Sequence, residues 1–151
     1  MTWLGVDLGD ARVGLALSDP ELSFAHPEGN IAANGDSFRA LDEVVDFIDG
    51  HPDIDRVVIG LPLLLSGEAG KSAKKARRWA ANLAKRLGVA VQSEDYTIDK
   101  VPEIVLQDER LTTVSAHHQL SQANVQSRNH RPVVDQQSAV VILQSALDGR
   151  H

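Results

Sequence analysis

Two apolar runs separated by a short turn open the chain, and they constrain the fold more than any other feature of the sequence. Residues 3–8 and 12–18 have the continuous apolar character of buried strands. Gly9 and Asp10 lie between them, and such a pair between two apolar runs is a strong signal for a β-hairpin. We therefore predict that the first two strands are antiparallel.

Asp7 places a carboxylate inside the first apolar run. A carboxylate in a buried strand loses its hydration, which is costly unless a cation or hydrogen-bond donors compensate. The apolar neighbours on both sides of Asp7 argue against a merely solvated side chain. Asp7 is therefore predicted to be a functional residue with a partner of this kind.

The rest of the chain alternates helix and strand patterns. The predicted elements are a helix over 37–50, a strand over 56–62, a helix over 71–88, strands over 89–92 and 104–110, a helix from Thr112 or Thr113 to about Gln122, a loop over 127–132, and a last helix from Asp135. The acidic, proline-bearing segment from about Gln92 to Glu103 is predicted as an inserted loop or hairpin. This order indicates an α/β domain with a mixed sheet.

Size and composition narrow the class of protein. With 151 residues and 42% hydrophobic content, the chain suits a single domain over 1–151 with a real core. The absence of cysteine excludes thiolate zinc sites, disulfide frameworks and cysteine nucleophiles. There is no apolar run long enough for a membrane span and no leader-like N-terminus, so we expect a cytoplasmic protein without a membrane partner.

The charge is segregated along the chain. A net charge of −6 argues, taken alone, against a nucleic-acid partner. However, residues 71–86 hold seven of the fifteen lysines and arginines and no acid. This basic helix is predicted to follow a nucleic-acid backbone, although a solvated helix face is the alternative interpretation. The candidate nucleic-acid-binding residues on it are Lys71, Lys74, Lys75 and Arg78.

Three acidic residues lie at the edges of predicted elements. Asp135 could simply be a helix N-cap, and the acid at the end of the 104–110 strand could be a solvated residue paired with Arg110. Spacing does not decide whether that acid is Asp108 or Glu109. If the acids converge with Asp7, they form a set of hard oxygen ligands suited to Mg²⁺ or Mn²⁺. Such sites catalyse phosphoryl transfer.

Four sequence blocks carry a resemblance to a known family. "GVDLGDARVGLALSD", "VIGLPLLLSGEAG", "DERLTT" and "VDQQSAVVILQSAL", in this order, resemble the signature blocks of the YqgF/RuvX family of pre-16S rRNA nucleases and Holliday junction resolvase-like proteins. The resemblance implies an RNase H-like fold, with a five-stranded mixed sheet flanked by helices. It also implies metal-dependent phosphodiester cleavage by a triad on Asp7, Glu109 and Asp135, with Mg²⁺ or Mn²⁺ as cofactor.

The chain departs from the family pattern at two places. The insertion between about Gln92 and Glu103 lengthens a link that is usually short, and it could extend a strand pair or overhang the site. In the last block, Ser138 and Ala139 stand where the family usually has a small apolar pair. The second change is mild and should not disturb Asp135.

On family grounds, the expected function is processing of the 5′ end of pre-16S rRNA, by cleavage that leaves a 5′ phosphate and a 3′ hydroxyl. RNA is the favoured partner, and branched or single-stranded DNA is the alternative. Further candidates for nucleic-acid contact are Arg12, Arg110, Arg128, His130 and Arg131, with an ion pair as the alternative role for Arg12 and Arg110.

Three competing functions stay open. The chain could be a Holliday junction resolvase, which would need a symmetric dimer to cut two strands together, whereas an RNA nuclease could act as a monomer. It could also be a non-catalytic nucleic-acid or ribosome-associated protein with an idle triad. The first block also resembles the phosphate loop of actin-like ATPases and sugar kinases, but those enclose their nucleotide between two such domains, for which 151 residues are too few.

Overall fold

The computed structural model describes residues 1–64, 66–109 and 131–150, and in the last range it describes side chains from Ser138 onward. The strands are β1 (Thr2–Leu8), β2 (Arg12–Ser18), β3 (Ala25–Ala32), β4 (Ile54–Leu61) and β5 (Glu103–Asp108). A 3-10 helix (Ser37–Ala40) precedes α1 (Leu41–Asp49), and the other α-helices of the described ranges are α2 (Lys71–Gln92) and α3 (Arg131–Asp148). The predicted helix at 112–122 lies outside the described residues.

The sheet has the strand order β3-β2-β1-β4-β5. β1 pairs antiparallel with β2, as the opening turn predicted, and the N–H of Gly9 donates to the carbonyl of Arg12 at 3.0 Å to close the hairpin. β2 also pairs antiparallel with β3, whereas β1 and β5 both pair parallel with β4. The predicted five-stranded mixed sheet is therefore confirmed.

Alternating side chains divide the core between the two faces of the sheet. Leu4 and Val6 point to the face covered by α1 and α2, where Trp79 is the largest fully buried side chain. Trp3 and Val58 point to the opposite face and pack with the apolar stripe of α3. Because α1 and α2 cover one face and α3 the other, residues on each strand alternate between two apolar layers.

One of the five predicted strands is wrong. Residues 89–92 form the last turn of α2, in which Ala90 is buried and Val89 is exposed, so the apolar stripe of the helix continues past Gly88. The fifth strand is instead β3, which lies at the edge of the sheet. It reads AHPEGNIA and is largely solvent-exposed, so it lacks the apolar pattern that identifies a buried strand.

The acidic insertion packs near the amino-terminal ends of the parallel strands β1 and β4. The Asp49 carboxylate, at the end of α1, accepts from the N–H of Thr97 at 2.8 Å, from its hydroxyl at 3.1 Å and from the N–H of Ile98 at 2.8 Å. Tyr96, Ile98 and Val101 pack against the core beside α1. The segment forms neither an added strand pair nor a cover over Asp7, which lies towards the other end of β1.

Candidate active site

Asp7 lies near the carboxyl end of the central strand β1 and is 1% exposed. It pairs with Gly14 of β2, and because Val6 pairs with Ile59 of β4, the next residue of β4 beside Asp7 is Gly60. Strand alternation puts Asp7 on the same face as Gly5, whose backbone contacts α3. The Asp7 carboxylate is thus buried under α3, between Gly14 of β2 and Gly60 of β4.

Glu109 directly follows β5 and is also 1% exposed. Its N–H donates to the carbonyl of Leu61, at the end of β4, at 3.1 Å. This bond prolongs the alignment of the parallel strands by one residue and holds Glu109 at their carboxyl ends. The interpretation of Glu109 as a solvated strand end is therefore wrong.

Gly60 provides the space that the Glu109 side chain occupies. A Cβ at Gly60 would overlap the Oε1 of Glu109 and would lie 2.6 Å from the Cδ1 of Ile142 on α3. Asp7 and Glu109 therefore lie on the same face of the sheet, on either side of a residue without a side chain. Gly60 was not among the predicted site residues, although a glycine inside an apolar strand often marks such a close approach.

Asp135 lies in the first part of α3, five residues into the helix as counted from Arg131. It is therefore not the N-cap of this helix, and that interpretation is wrong. The carbonyl of Ala139 lies 2.9 Å from the Cβ position of Gly5, and the other end of α3 reaches Leu22, where Arg150 donates to a carbonyl at 3.4 Å. α3 thus runs antiparallel to β1, and the backbone of Asp135 lies towards the Asp7 end of that strand. Its side chain is outside the described residues.

The two described carboxylates provide suitable chemistry for a divalent cation. Carboxylate oxygens are the ligands that Mg²⁺ and Mn²⁺ prefer, and two like charges buried at one edge are stabilised by a cation between them. Because Gly60 has no side chain, the Glu109 carboxylate lies directly against the face of the sheet. Among the side chains that the structure describes, there is no group of three acidic or histidine residues placed to hold a metal ion.

Arg12 begins β2 on the face that carries Asp7. It lies two residues before Gly14, the partner of Asp7, so strand alternation places both on the same side of the sheet. Of the other predicted contact residues, Arg110, Arg128 and His130 lie outside the described residues. Arg131 was predicted in a loop, but it is the first residue of α3.

The basic helix α2 begins at the same edge of the sheet. Its Ala73 and Ala76 pack with Leu61 and Leu8, which lie at the carboxyl ends of β4 and β1. The predicted binding residues of α2 differ in their contacts. Lys75 pairs with Asp10 at 3.3 Å, and the guanidinium of Arg78 lies 5.7 Å from the centre of the Phe38 ring. Lys71 and Lys74 are exposed, as is Arg77, which was not among the predicted residues.

A mixed sheet in the order β3-β2-β1-β4-β5, with acidic residues at the carboxyl ends of its parallel strands β1 and β5, defines the RNase H-like class of fold. The same fold is found in the RuvC of T. thermophilus, solved in complex with a Holliday junction substrate. That structure has 12% sequence identity and a TM-score of 0.52, with 99% of this chain and 95% of that chain covered. The similarity confirms the fold predicted from the sequence.

The sequence comparisons identify the family. Residues 1–149 match the family model described as "RuvX: Holliday junction resolvase", so the chain belongs to the RuvX family. A relative from Bifidobacterium adolescentis is 71% identical over 148 residues, with 98% of this chain and 97% of the relative covered. A relative from Bifidobacterium longum subsp. infantis is 64% identical over the same shares. Both are named for a proposed role as pre-16S rRNA nucleases.

None of the helices that the structure describes is both long enough and apolar enough to cross a bilayer.

Proposed function

We propose that this protein is a metal-dependent nuclease that processes the 5′ end of pre-16S rRNA in the cytoplasm, with residues 1–151 as one RNase H-like nuclease domain. The observation that carries the proposal is the burial of Asp7 and Glu109 on one sheet face, on either side of Gly60. Membership of the RuvX family supports the nuclease class. The names of the Bifidobacterium relatives favour rRNA as the substrate.

In this proposal, the oxygen ligands for the cation are Asp7, Glu109 and Asp135. Mg²⁺ or Mn²⁺, when bound, would neutralise charge on the scissile phosphate and make the attacking water more acidic. The protein fixes Asp7 and Glu109 in advance, because Asp7 lies in the central strand and Glu109 is held by its bond to Leu61. Such preorganisation supplies most of the rate enhancement in phosphoryl transfer.

The cationic side chains at the same edge would hold the nucleic-acid backbone. Arg12 shares the face of Asp7, and Lys71 and Lys74 are exposed on the first turn of α2. Contacts of this type position the substrate without reading its bases. Lys75, Arg78, Arg110, Arg128, His130 and Arg131 complete the proposed binding residues.

A Holliday junction resolvase is the second candidate function. It is favoured by the printed description of the family and by the fold of the RuvC complex. The same acidic residues would serve both functions, because the choice of substrate depends on surfaces outside the carboxylate site. Cleavage of a four-way junction in two strands together would also require a dimer.

The test compares the purified protein with two variants on three labelled substrates: an rRNA precursor, single-stranded DNA and a four-way junction. Each is incubated with Mg²⁺, Mn²⁺ or EDTA. Asp7→Asn removes one charge from the site, and Asp53→Asn is the matched control, because Asp53 is exposed just before β4 at the opposite edge.

We expect cation-dependent cleavage of the rRNA precursor by the wild type and by Asp53→Asn, and none by Asp7→Asn. Preferential cleavage of the junction would support the resolvase instead. Equal activity of Asp7→Asn and wild type, or no cleavage by either, would contradict the nuclease proposal and favour a non-catalytic binding protein.

A further inference from the structure

A buried hydroxyl on α3 has no role in the packing described above. Ser138 is 2% exposed, and its Oγ is shielded from solvent without a hydrogen-bond partner among the described residues. Serine hydroxyls inside helices commonly bond to the carbonyl four residues earlier, but Ser138 does not do so. A buried hydroxyl without a partner costs stability, so packing alone would favour alanine at this position.

The contacts of α3 place Ser138 beside the two carboxylates. Ile142, four residues further on, lies over Gly60, where its Cδ1 is 2.6 Å from the position a Cβ would take. Residues four apart share one stripe of a helix, about 6 Å apart along the axis. Because α3 runs antiparallel to β1, the step from Ile142 back to Ser138 leads towards the carboxyl ends of the strands. This is the end at which Asp7 and Glu109 lie.

We propose that Ser138 is a positioning residue of the carboxylate site. When the cation is bound, the Ser138 hydroxyl donates a hydrogen bond to one of the oxygen ligands of the cation between Asp7 and Glu109. This inference rests on the proposed metal-dependent function. Hydrogen bonds of this kind orient the ligands of a metal site, and their loss typically weakens metal binding about 10- to 100-fold.

The structure also offers a matched control. Ser37, in the 3-10 helix, is fully buried, and its Oγ likewise has no hydrogen-bond partner among the described residues. Its carbonyl accepts from the indole of Trp79 at 2.9 Å, which places it on the α2 side of the sheet, away from Asp7. Replacing each serine by alanine therefore removes an equivalent hydroxyl, but only one of the two is near the site.

The experiment measures Mn²⁺ binding by titration calorimetry, without substrate, for the wild type, Ser138→Ala, Ser37→Ala and Asp7→Asn. We expect Ser138→Ala to bind Mn²⁺ about tenfold more weakly, which corresponds to about 1.4 kcal/mol. Ser37→Ala should bind like the wild type, and Asp7→Asn should not bind measurably. Thermal unfolding in EDTA should show that both alanine variants are at least as stable as the wild type.

The outcomes separate the two proposals. Binding of Mn²⁺ by the wild type but not by Asp7→Asn would support the metal site. If Ser138→Ala then binds Mn²⁺ as tightly as the wild type, the proposed role of Ser138 is contradicted and the metal site is not. If the wild type does not bind Mn²⁺, the metal-dependent function and the role of Ser138 both fail. Should Ser138→Ala fail to fold, Ser138→Cys takes its place, because a thiol of similar size is a much weaker donor and should also weaken Mn²⁺ binding.

Discussion

The Glu109 carboxylate lies over Gly60, in the space that a side chain at position 60 would occupy. This relationship links β4 to the acid that follows β5. The Cβ of an alanine would meet the Oε1 of Glu109 on one side and the Cδ1 of Ile142 on the other. The absence of a side chain at Gly60 is therefore a requirement for the position of the carboxylate.

Gly60→Ala should inactivate the protein even though it changes no charged residue. The added methyl group would displace Glu109 or Ile142, and overpacking of a core of this kind costs about 1–3 kcal/mol. We expect loss of nuclease activity with a folded protein, measured by the cleavage assay and by urea unfolding. Gly88→Ala is the control, because a Cβ there meets nothing within 4 Å, and it should leave activity unchanged. Full activity of Gly60→Ala would show that the position of Glu109 is not needed.

Divalent cations should stabilise the fold through the buried carboxylates. At a Mg²⁺ concentration of about 100 times Kd, binding to the native state adds about 2.7 kcal/mol. For a chain of this size, this raises the unfolding temperature by about 5–10 °C. Glu109→Gln should remove the effect, whereas Asp53→Asn should retain it. Equal unfolding temperatures of the wild type in EDTA and in saturating Mg²⁺ would contradict a metal site at Asp7 and Glu109.

The two ends of α2 should contribute differently to nucleic-acid binding. Lys71 and Lys74 are exposed at the edge that carries Asp7, whereas Lys85 is exposed three turns further along the helix. Replacing Lys71 and Lys74 by alanine should weaken RNA binding. The slope of the logarithm of the association constant against the logarithm of the salt concentration should become shallower by about 0.7–0.9 per lost phosphate contact. Fluorescence anisotropy at several salt concentrations measures both quantities. An equal effect of Lys85→Ala would indicate binding along the whole helix instead.

The acidic insertion should be held in place by Asp49 without taking part in cleavage. Its carboxylate accepts hydrogen bonds from Thr97 and Ile98 at the edge of the sheet opposite Asp7. Asp49→Ala should lower the stability by about 1–3 kcal/mol, because two backbone N–H groups lose a charged acceptor. Limited proteolysis within 93–102 should become faster, while cleavage of RNA stays unchanged. A change in substrate preference would show that the insertion acts on the site.

The stability should depend on pH through Asp19. Its carboxylate accepts from the N–H of Phe24 at 2.8 Å and from that of Ser23 at 2.7 Å, and these bonds hold its pKa below the usual value. A carboxyl whose pKa is lowered by folding stabilises the native state above its unfolded pKa of about 3.9, and this contribution is lost as the pH falls through the native pKa. Asp19→Asn should therefore be less stable than the wild type at pH 6, with the difference shrinking towards pH 3. Urea unfolding at several pH values tests this, and a constant difference would contradict it.

The opening hairpin and the burial of its carboxylate could be predicted from the sequence. The Gly9–Asp10 turn between apolar runs specified the hairpin, and the burial of Asp7 followed from its apolar neighbours. Both features depend on residues close together in the chain, so periodicity and turn chemistry are sufficient to predict them. The same rules failed for residues 89–92, because a short apolar run is compatible with either a strand or a helical turn.

The neighbours of Asp7, in contrast, depend on how the separate elements pack together. The register between β1 and β4 brings Gly60 beside it, and the position of Glu109 follows from its bond to Leu61, which is 48 residues away in the chain. The insertion likewise reaches Asp49 rather than the carboxylate edge. Contacts of this kind depend on how separate elements pack, and no pattern within one element specifies them. For this reason the sequence could predict acidic ligands, but the space over Gly60 and the buried hydroxyl of Ser138 became visible only in the folded chain.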